Sequence, residues 1–245
     1  MRREFLLALP ALAVLARPSR AGDAAIAWRD PVELARGNGV RGPWQQNDSR
    51  YDFVDDAAVA LAADGPMGAA WVDQARKAVL VQRRGADGQP AGDPVAVDRQ
   101  PGSFSWIPRV AVAPDAPATV YVLWQEIIFS GGSHGGEMML ARSTDGARSF
   151  SAPLNLSNSR GGDGKGRTTP EHWHNGSYDL LALADGVACA AWTEYDGPLW
   201  FARSSDTGRT FGQPVRVAGA PGERPARAAS LAQARDALLL AWTLG

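Results

Sequence analysis

The chain has 245 residues, 45% hydrophobic, 8% aromatic and 21% charged, with a formal net charge of −1. That is the composition of a folded globular protein, and the near-neutral charge excludes the basic footprint of a nucleic-acid binder. The single cysteine, Cys189, excludes an internal disulfide; its apolar run, Val187-Ala188-Cys189-Ala190-Ala191-Trp192, predicts a buried, unreactive thiol.

Residues 1–21, MRREFLLALPALAVLARPSRA, run from a basic start through an apolar stretch to small residues at Ser19 and Ala21. This order predicts an export signal cleaved after Ala21, and the apolar stretch is too short to span a bilayer. Arg2-Arg3-x-Phe5-Leu6 also fits a twin-arginine signal. Removal of the segment leaves 21 basic against 25 acidic residues, a net charge of −4. No later stretch is apolar enough to cross a membrane. The expected product is periplasmic or secreted, with residues 22–245 as one domain.

Beyond the signal the chain repeats. Four strand-like runs align on a proline: Pro31, Pro94, Pro153 and Pro214, spaced 63, 59 and 61 residues apart. Proline at the start of an edge strand is where a sheet tolerates it. A second series centres on Trp71, Trp124, Trp192 and Trp242, and a third opens each unit at Asp56, Pro108, Asp179 and Ala226. Each unit reads as a four-stranded meander of about sixty residues, a period that signals a propeller or solenoid. The units fall near 54–98, 107–157 and 177–218. A fourth stops after its Trp strand, and the run 28–35 is expected to complete it by ring closure. The fold class is all-β, with about four four-stranded antiparallel blades.

One eight-residue stretch occurs twice between the Trp and Pro strands: Ser204-Ser205-Asp206-Thr207-Gly208-Arg209-Thr210-Phe211 and Ser143-Thr144-Asp145-Gly146-Ala147-Arg148-Ser149-Phe150. Its chemistry suits a tight hairpin, with the Asp accepting turn N–H groups, a Gly at positive φ and the Phe packed beneath. The pattern Ser-x-Asp-x-Gly-x-Thr-Phe resembles the Asp-box (BNR repeat) of sialidase-like β-propellers. Ser204, Asp206, Gly208, Thr210 and Phe211 match it throughout. Ser143, Asp145 and Phe150 match, with Ala147 and Ser149 departing. The resemblance covers most of the chain after the signal, but sialidases have six blades, so the propeller is short or incomplete beside them.

In such a propeller the Asp-boxes join strands 3 and 4 on the lower face, and ligands sit over the upper face. The Asp-boxes are therefore expected to be structural. The upper loops are expected at 37–53, 72–78, 99–107, 127–136, 158–176, 195–198 and 219–226, and long loops in a compact domain tend to be functional.

Three readings of that face stay open. The resemblance implies an exo-sialidase-type glycosidase with arginines for a substrate carboxylate, a Tyr nucleophile activated by Glu, and an Asp acid/base. Candidates are Arg50, Arg109 and Arg224; Glu194 with Tyr178 or Tyr195; and Asp48 or Asp52. Trp106-Ile107-Pro108-Arg109 departs from the family's Arg-Ile-Pro, with Trp106 where the arginine stands. Against this, Asp73, Glu126 and Glu194 recur two residues after a Trp, which points to architecture. No cofactor is required, but His134, His172 and His174, with Glu171 or Glu137 nearby, could hold a divalent metal. The third reading is a non-catalytic module that stacks a glycan or other small polar ligand on Trp44, Trp106 and Trp173. The oligomeric state is not indicated.

Overall fold

The computed structural model describes residues 30–39, 53–62, 67–99, 104–130, 133–157, 177–194, 197–235 and 237–245. The chain divides into two compact units, Met1–Leu34 and Ala35–Gly245. In the first, residues 30–34 carry no strand. The expected strand at 28–35 is thus not formed over its described residues, and among the described residues the fourth repeat has two strands.

The second unit is all-β. Sheet 1 is β1 (Val54–Leu61), β2 (Met67–Asp73), β3 (Ala78–Arg84) and β4 (Val95–Arg99). Sheet 2 is β5 (Phe104–Val112), β6 (Val120–Ser130), β7 (Ser133–Ser143) and β8 (Leu154–Asn155). Sheet 3 is β9 (Tyr178–Ala182), β10 (Ala188–Thr193), β11 (Leu199–Ser204) and β12 (Val215–Ala218), and sheet 4 is β13 (Ala226–Ala234) with β14 (Ala237–Leu244). Each is an antiparallel meander in chain order. The repeats place their residues as expected, except that Pro94, Pro153 and Pro214 precede their strands, so no ladder N–H is lost.

Successive sheets pack through three apolar cores. Ala70, Val79, Val81, Val122 and Trp124 join sheets 1 and 2. Tyr121, Leu123, Leu140, Leu180 and Trp192 join sheets 2 and 3, and Cys189, Leu199, Ala229 and Leu231 join sheets 3 and 4. Cys189 is fully buried, and burial raises its thiol pKa, so it is a core residue and a poor nucleophile.

The first strands carry a feature that the sequence hid. In β1, β5 and β13 the register slips opposite the series tryptophan, so that two residues face Trp71, Trp124 and Trp242. A left-handed residue sits in each bulge: Asp56 (φ 56°), Ile107 (φ 44°) and Ala228 (φ 54°). In β9 there is no bulge, and Tyr178 pairs directly with Trp192. Backbone groups at or near the bulges are met by side chains of the adjoining sheets. Asp56 Oδ2 accepts the Ile107 N–H at 3.0 Å. The Tyr178 hydroxyl lies 2.7 Å from the carbonyl oxygens of Trp106 and Ile107. Asp179 Oδ2 accepts the Leu231 N–H at 2.7 Å.

Both Asp-boxes close the β7–β8 and β11–β12 connections. Ser204 Oγ accepts the Gly208 N–H at 2.9 Å and donates to Asp206 Oδ1 at 2.8 Å. Asp206 also accepts the Thr210 hydroxyl at 2.6 Å and the Thr210 N–H at 3.0 Å. The other copy repeats this set with Ser143, Asp145, Ala147 and Ser149. Phe150 and Phe211 pack against the cores of the preceding interfaces. These bonds hold both carboxyls well below the usual carboxylate range. The Ser149 hydroxyl is the largest cause for Asp145, and the Thr210 hydroxyl for Asp206.

Two outcomes follow for stability. Asp179→Ala is expected to cost about 1–3 kcal/mol in urea unfolding, because it orphans the Leu231 N–H in the sheet 3–4 contact. A carboxyl with a depressed folded pKa contributes stability that is complete above its unfolded value near 3.9 and is lost as pH falls through the folded value. Melting temperature should therefore fall steeply below about pH 4. Asp206→Asn should lower it at pH 7 and flatten that acid limb; an unchanged limb would show that the Asp-box carboxyls do not govern it.

Candidate functional site

The candidate site lies where the strands turn at the upper ends of the sheets. In sheet 1, β2 ends at Asp73, whose Oδ1 accepts the Arg76 N–H at 3.0 Å and whose Oδ2 pairs with the Arg76 guanidinium at 3.2 Å. The neighbouring Gln74 donates from Nε2 to the Ser105 carbonyl at 3.0 Å, while its buried Oε1 has no partner.

In sheet 2, Glu126 Oε2 accepts both the Trp124 indole N–H and the Ser105 hydroxyl at 2.8 Å. Directly opposite on β7 stands Glu137, which takes the Ser157 hydroxyl. Both carboxyl groups are buried. The 127–136 segment, expected as a loop, is instead the continuation of the hairpin: β6 and β7 have 11 residues each, against 7 for β2 and β3 and 6 for β10 and β11. Ser130 and Ser133 pair at its tip, and His134 stands on β7 opposite Phe129. Met138, in the body of β7, is a core residue.

Trp106 and Ile107, expected in a loop, lie in β5 at the bulge. Trp106 is half-buried, and its indole N–H has no partner. Arg109 is engaged below it: Nε donates to the Tyr178 carbonyl at 3.4 Å, and the guanidinium carbon lies 5.9 Å from the Tyr178 ring centre. Tyr178 is buried with its hydroxyl on two carbonyl oxygens, so it acts as a donor; to serve as a nucleophile it would have to leave both. Tyr178, Trp192, Trp200 and Arg216 form one row across sheet 3.

Glu194 follows β10, where its carbonyl accepts the Gly197 N–H at 3.2 Å and its N–H donates to Pro198 O at 2.9 Å. It does not take the Trp192 indole N–H, which has no partner. The recurrent acidic position is therefore architectural in sheets 1 and 2 by different bonds, and Glu194 departs from the Trp–carboxylate bond of sheet 2. Arg224 is exposed in the segment between β12 and β13. Asp48, Asp52, Tyr195, Arg50, Trp44, Trp173, His172 and His174 lie outside the described residues, as does Glu171. Among the described residues no group of three or more His, Cys, Asp or Glu is placed to hold a metal ion. No helix among them is long and apolar enough to cross a membrane.

No protein-family model matches the chain, and no curated protein does. Solved structures do. The Hadza microbial sialidase Hz136 matches at a TM-score of 0.51 and 16% identity, over 77% of this chain and 42% of that one. A Trypanosoma rangeli sialidase, solved in complex with sialic acid, matches at a TM-score of 0.51 and 14% identity, over 87% of this chain and 38% of that one. The chain thus spans about two-fifths of the length of each. At these identities the likeness is one of fold: the chain has a sialidase-like β-propeller fold.

The Tyr178 geometry gives a direct test. Tyr178→Phe should lower stability by about 1 kcal/mol in urea unfolding by removing the donor to the bulge carbonyls. No loss would mean that the hydroxyl does not hold the bulge.

Proposed function

We propose that the chain is an exported propeller that binds a glycan along its upper rims. The observation that carries this reading is where hydrogen-bonding capacity stays unused. Among the described residues, of the buried side-chain polar atoms without a partner, Trp71 Nε1, Gln74 Oε1, Trp106 Nε1, Trp192 Nε1 and Trp200 Nε1 belong to the upper ends of sheets 1, 2 and 3, and only Tyr121 Oη lies toward the lower end. Unpartnered buried groups are rare in proteins and call for an explanation. The half-buried rings of Trp106 and Trp200 offer faces on which a sugar stacks, and a sugar that displaces the side chains covering these atoms can donate to the amide oxygen and accept from the indole N–H groups.

The likeness to two sialidases, one of them solved in complex with sialic acid, supports the same reading. The signal-like residues 1–21 support export. Hydrolysis belongs to the proposal through Glu194 and, outside the described residues, Asp48, Asp52 and Tyr195.

The test is calorimetric titration of the purified protein with neutral and acidic oligosaccharides. Saturable binding is expected for at least one, weakened about tenfold or more in Trp106→Ala and unchanged in the lower-face control Ser205→Ala. No binding at millimolar ligand overturns the reading. Fluorogenic glycosides, including a sialoside, separate enzyme from binding module: turnover lost in Glu194→Gln marks a hydrolase, and binding without turnover marks a module.

A further inference from the structure

Ile107 holds a backbone conformation that its sequence disfavours twice. Its φ of 44° lies in the left-handed region, where a β-branched residue is an outlier. Pro108 follows it, and the residue before a proline favours extended backbone. The equivalent bulge residues carry a lighter cost. Asp56 belongs to a residue type that tolerates this region, Ala228 is unbranched, and neither precedes a proline. A left-handed bulge residue is thus part of the repeated architecture, whereas a costly one occurs only in the bulge of β5.

Side chains from two other sheets hold the backbone there. Beside β2 of sheet 1, Gln74 Nε2 donates to the Ser105 carbonyl at 3.0 Å, and from β1 Asp56 Oδ2 accepts the Ile107 N–H at 3.0 Å. From sheet 3 the Tyr178 hydroxyl lies 2.7 Å from the carbonyl oxygens of both Trp106 and Ile107, so one donor serves the two. Backbone groups of three consecutive residues, 105 to 107, are therefore fixed from outside their own sheet. The middle one is Trp106. Its backbone is held while its ring is half-buried and its indole N–H has no partner. Strain that is over-determined in this way is found at ligand clamps.

We infer that Asp56, Gln74, Ile107 and Tyr178 are positioning residues that fix the Trp106 ring in one orientation for a sugar, an inference that rests on the glycan reading of these rims. A ring already held in its binding orientation loses little freedom when a sugar stacks on it, and pre-organisation of this kind raises affinity. Ile107 is the sprung part of the device. With the Tyr178 hydroxyl in place the bulge is kept; without it the left-handed residue relaxes toward extended backbone and carries Trp106 with it. The Ile107 side chain packs against the core between sheets 2 and 3, so stability alone does not report on the device.

The test labels the protein with fluorotryptophan and follows the fluorine resonance of Trp106, assigned by its loss in Trp106→Phe, alongside titration with the neutral and acidic oligosaccharides. A single sharp resonance is expected in the unsubstituted protein. In Tyr178→Phe it should split or broaden, and affinity for the bound oligosaccharide should fall about tenfold. Glycine holds positive φ without steric cost, so adding Ile107→Gly to Tyr178→Phe should restore both the sharp resonance and the affinity. Ala228→Gly, in the bulge of β13, should change neither. The inference is overturned by an unchanged Trp106 resonance in Tyr178→Phe, by failure of Ile107→Gly to restore it, or by an affinity that does not follow it. The expected resonance changes in a protein that binds none of the oligosaccharides would support the clamp and count against the glycan reading instead.

Discussion

The innermost strand of each sheet has one edge that no ladder can satisfy, and the structure depends on how that edge is met. Sheets 1 to 4 pack by their faces, and apolar contact alone would let them slide. The bulge in β5 turns an N–H and two carbonyls outward, where Asp56 and Tyr178 hold them; at the β13 bulge Ser177 Oγ takes the Ala229 N–H, and just beyond it Asp179 takes the Leu231 N–H. The left-handed Ile107 persists because its N–H is held from sheet 1 and its carbonyl from sheet 3. Strain of this kind survives only where the surroundings over-determine it. Removing one hold thus acts on the angle between sheets as well as on a single bond.

The two ends of the sheets use polar groups differently. At the lower end, each Asp-box spends its serine, aspartate and hydroxyl partner on its own turn, leaving little for a ligand. At the upper end, carboxyl groups at one repeated position have diverged. Asp73 caps a turn, Glu126 holds an indole, and Glu194 does not take the indole beside it. Among the described residues the indoles of Trp71, Trp106, Trp192 and Trp200 and the Gln74 amide oxygen are left without partners at this end, whereas the Trp124 indole is held.

The propeller was legible in the sequence because its signals are local. Asp-box turns and tryptophans in second strands depend on chemistry within a few residues and fell in the expected elements, while Pro94, Pro153 and Pro214 stand one residue before their fourth strands and the Pro31 run forms no strand over its described residues. The bulges were not legible, since Asp55-Asp56-Ala57 reads as strand or turn equally well, and the choice is made by Trp71 across the ladder and Ile107 in the next sheet. The β6–β7 hairpin was misread because Ser130-Gly131-Gly132-Ser133 invites a long loop, while the flanking residues Ile127-Ile128-Phe129 continue a strand. For the candidate site, Trp106 was found for its place beside Ile-Pro, but its partnerless indole, the Glu126–Glu137 pairing and the commitment of Tyr178 are contacts between distant residues that no spacing encodes.

The two Asp-boxes differ in one further respect. Each needs two adjacent left-handed residues, and each supplies a single glycine: Gly146 (φ 73°) then Ala147 (φ 59°) in one, Thr207 (φ 62°) then Gly208 (φ 72°) in the other. The serine hydroxyl that accepts the second N–H is indifferent to which position lacks the glycine. The apparent mismatch at Ala147 is therefore a change of order within a dipeptide, and at the other departure Ser149 supplies the same hydroxyl to Asp145 that Thr210 gives Asp206. A pattern that fixes the glycine at one place will pass over genuine copies of this turn, whereas one that asks for a glycine at either of the two positions will recognise them.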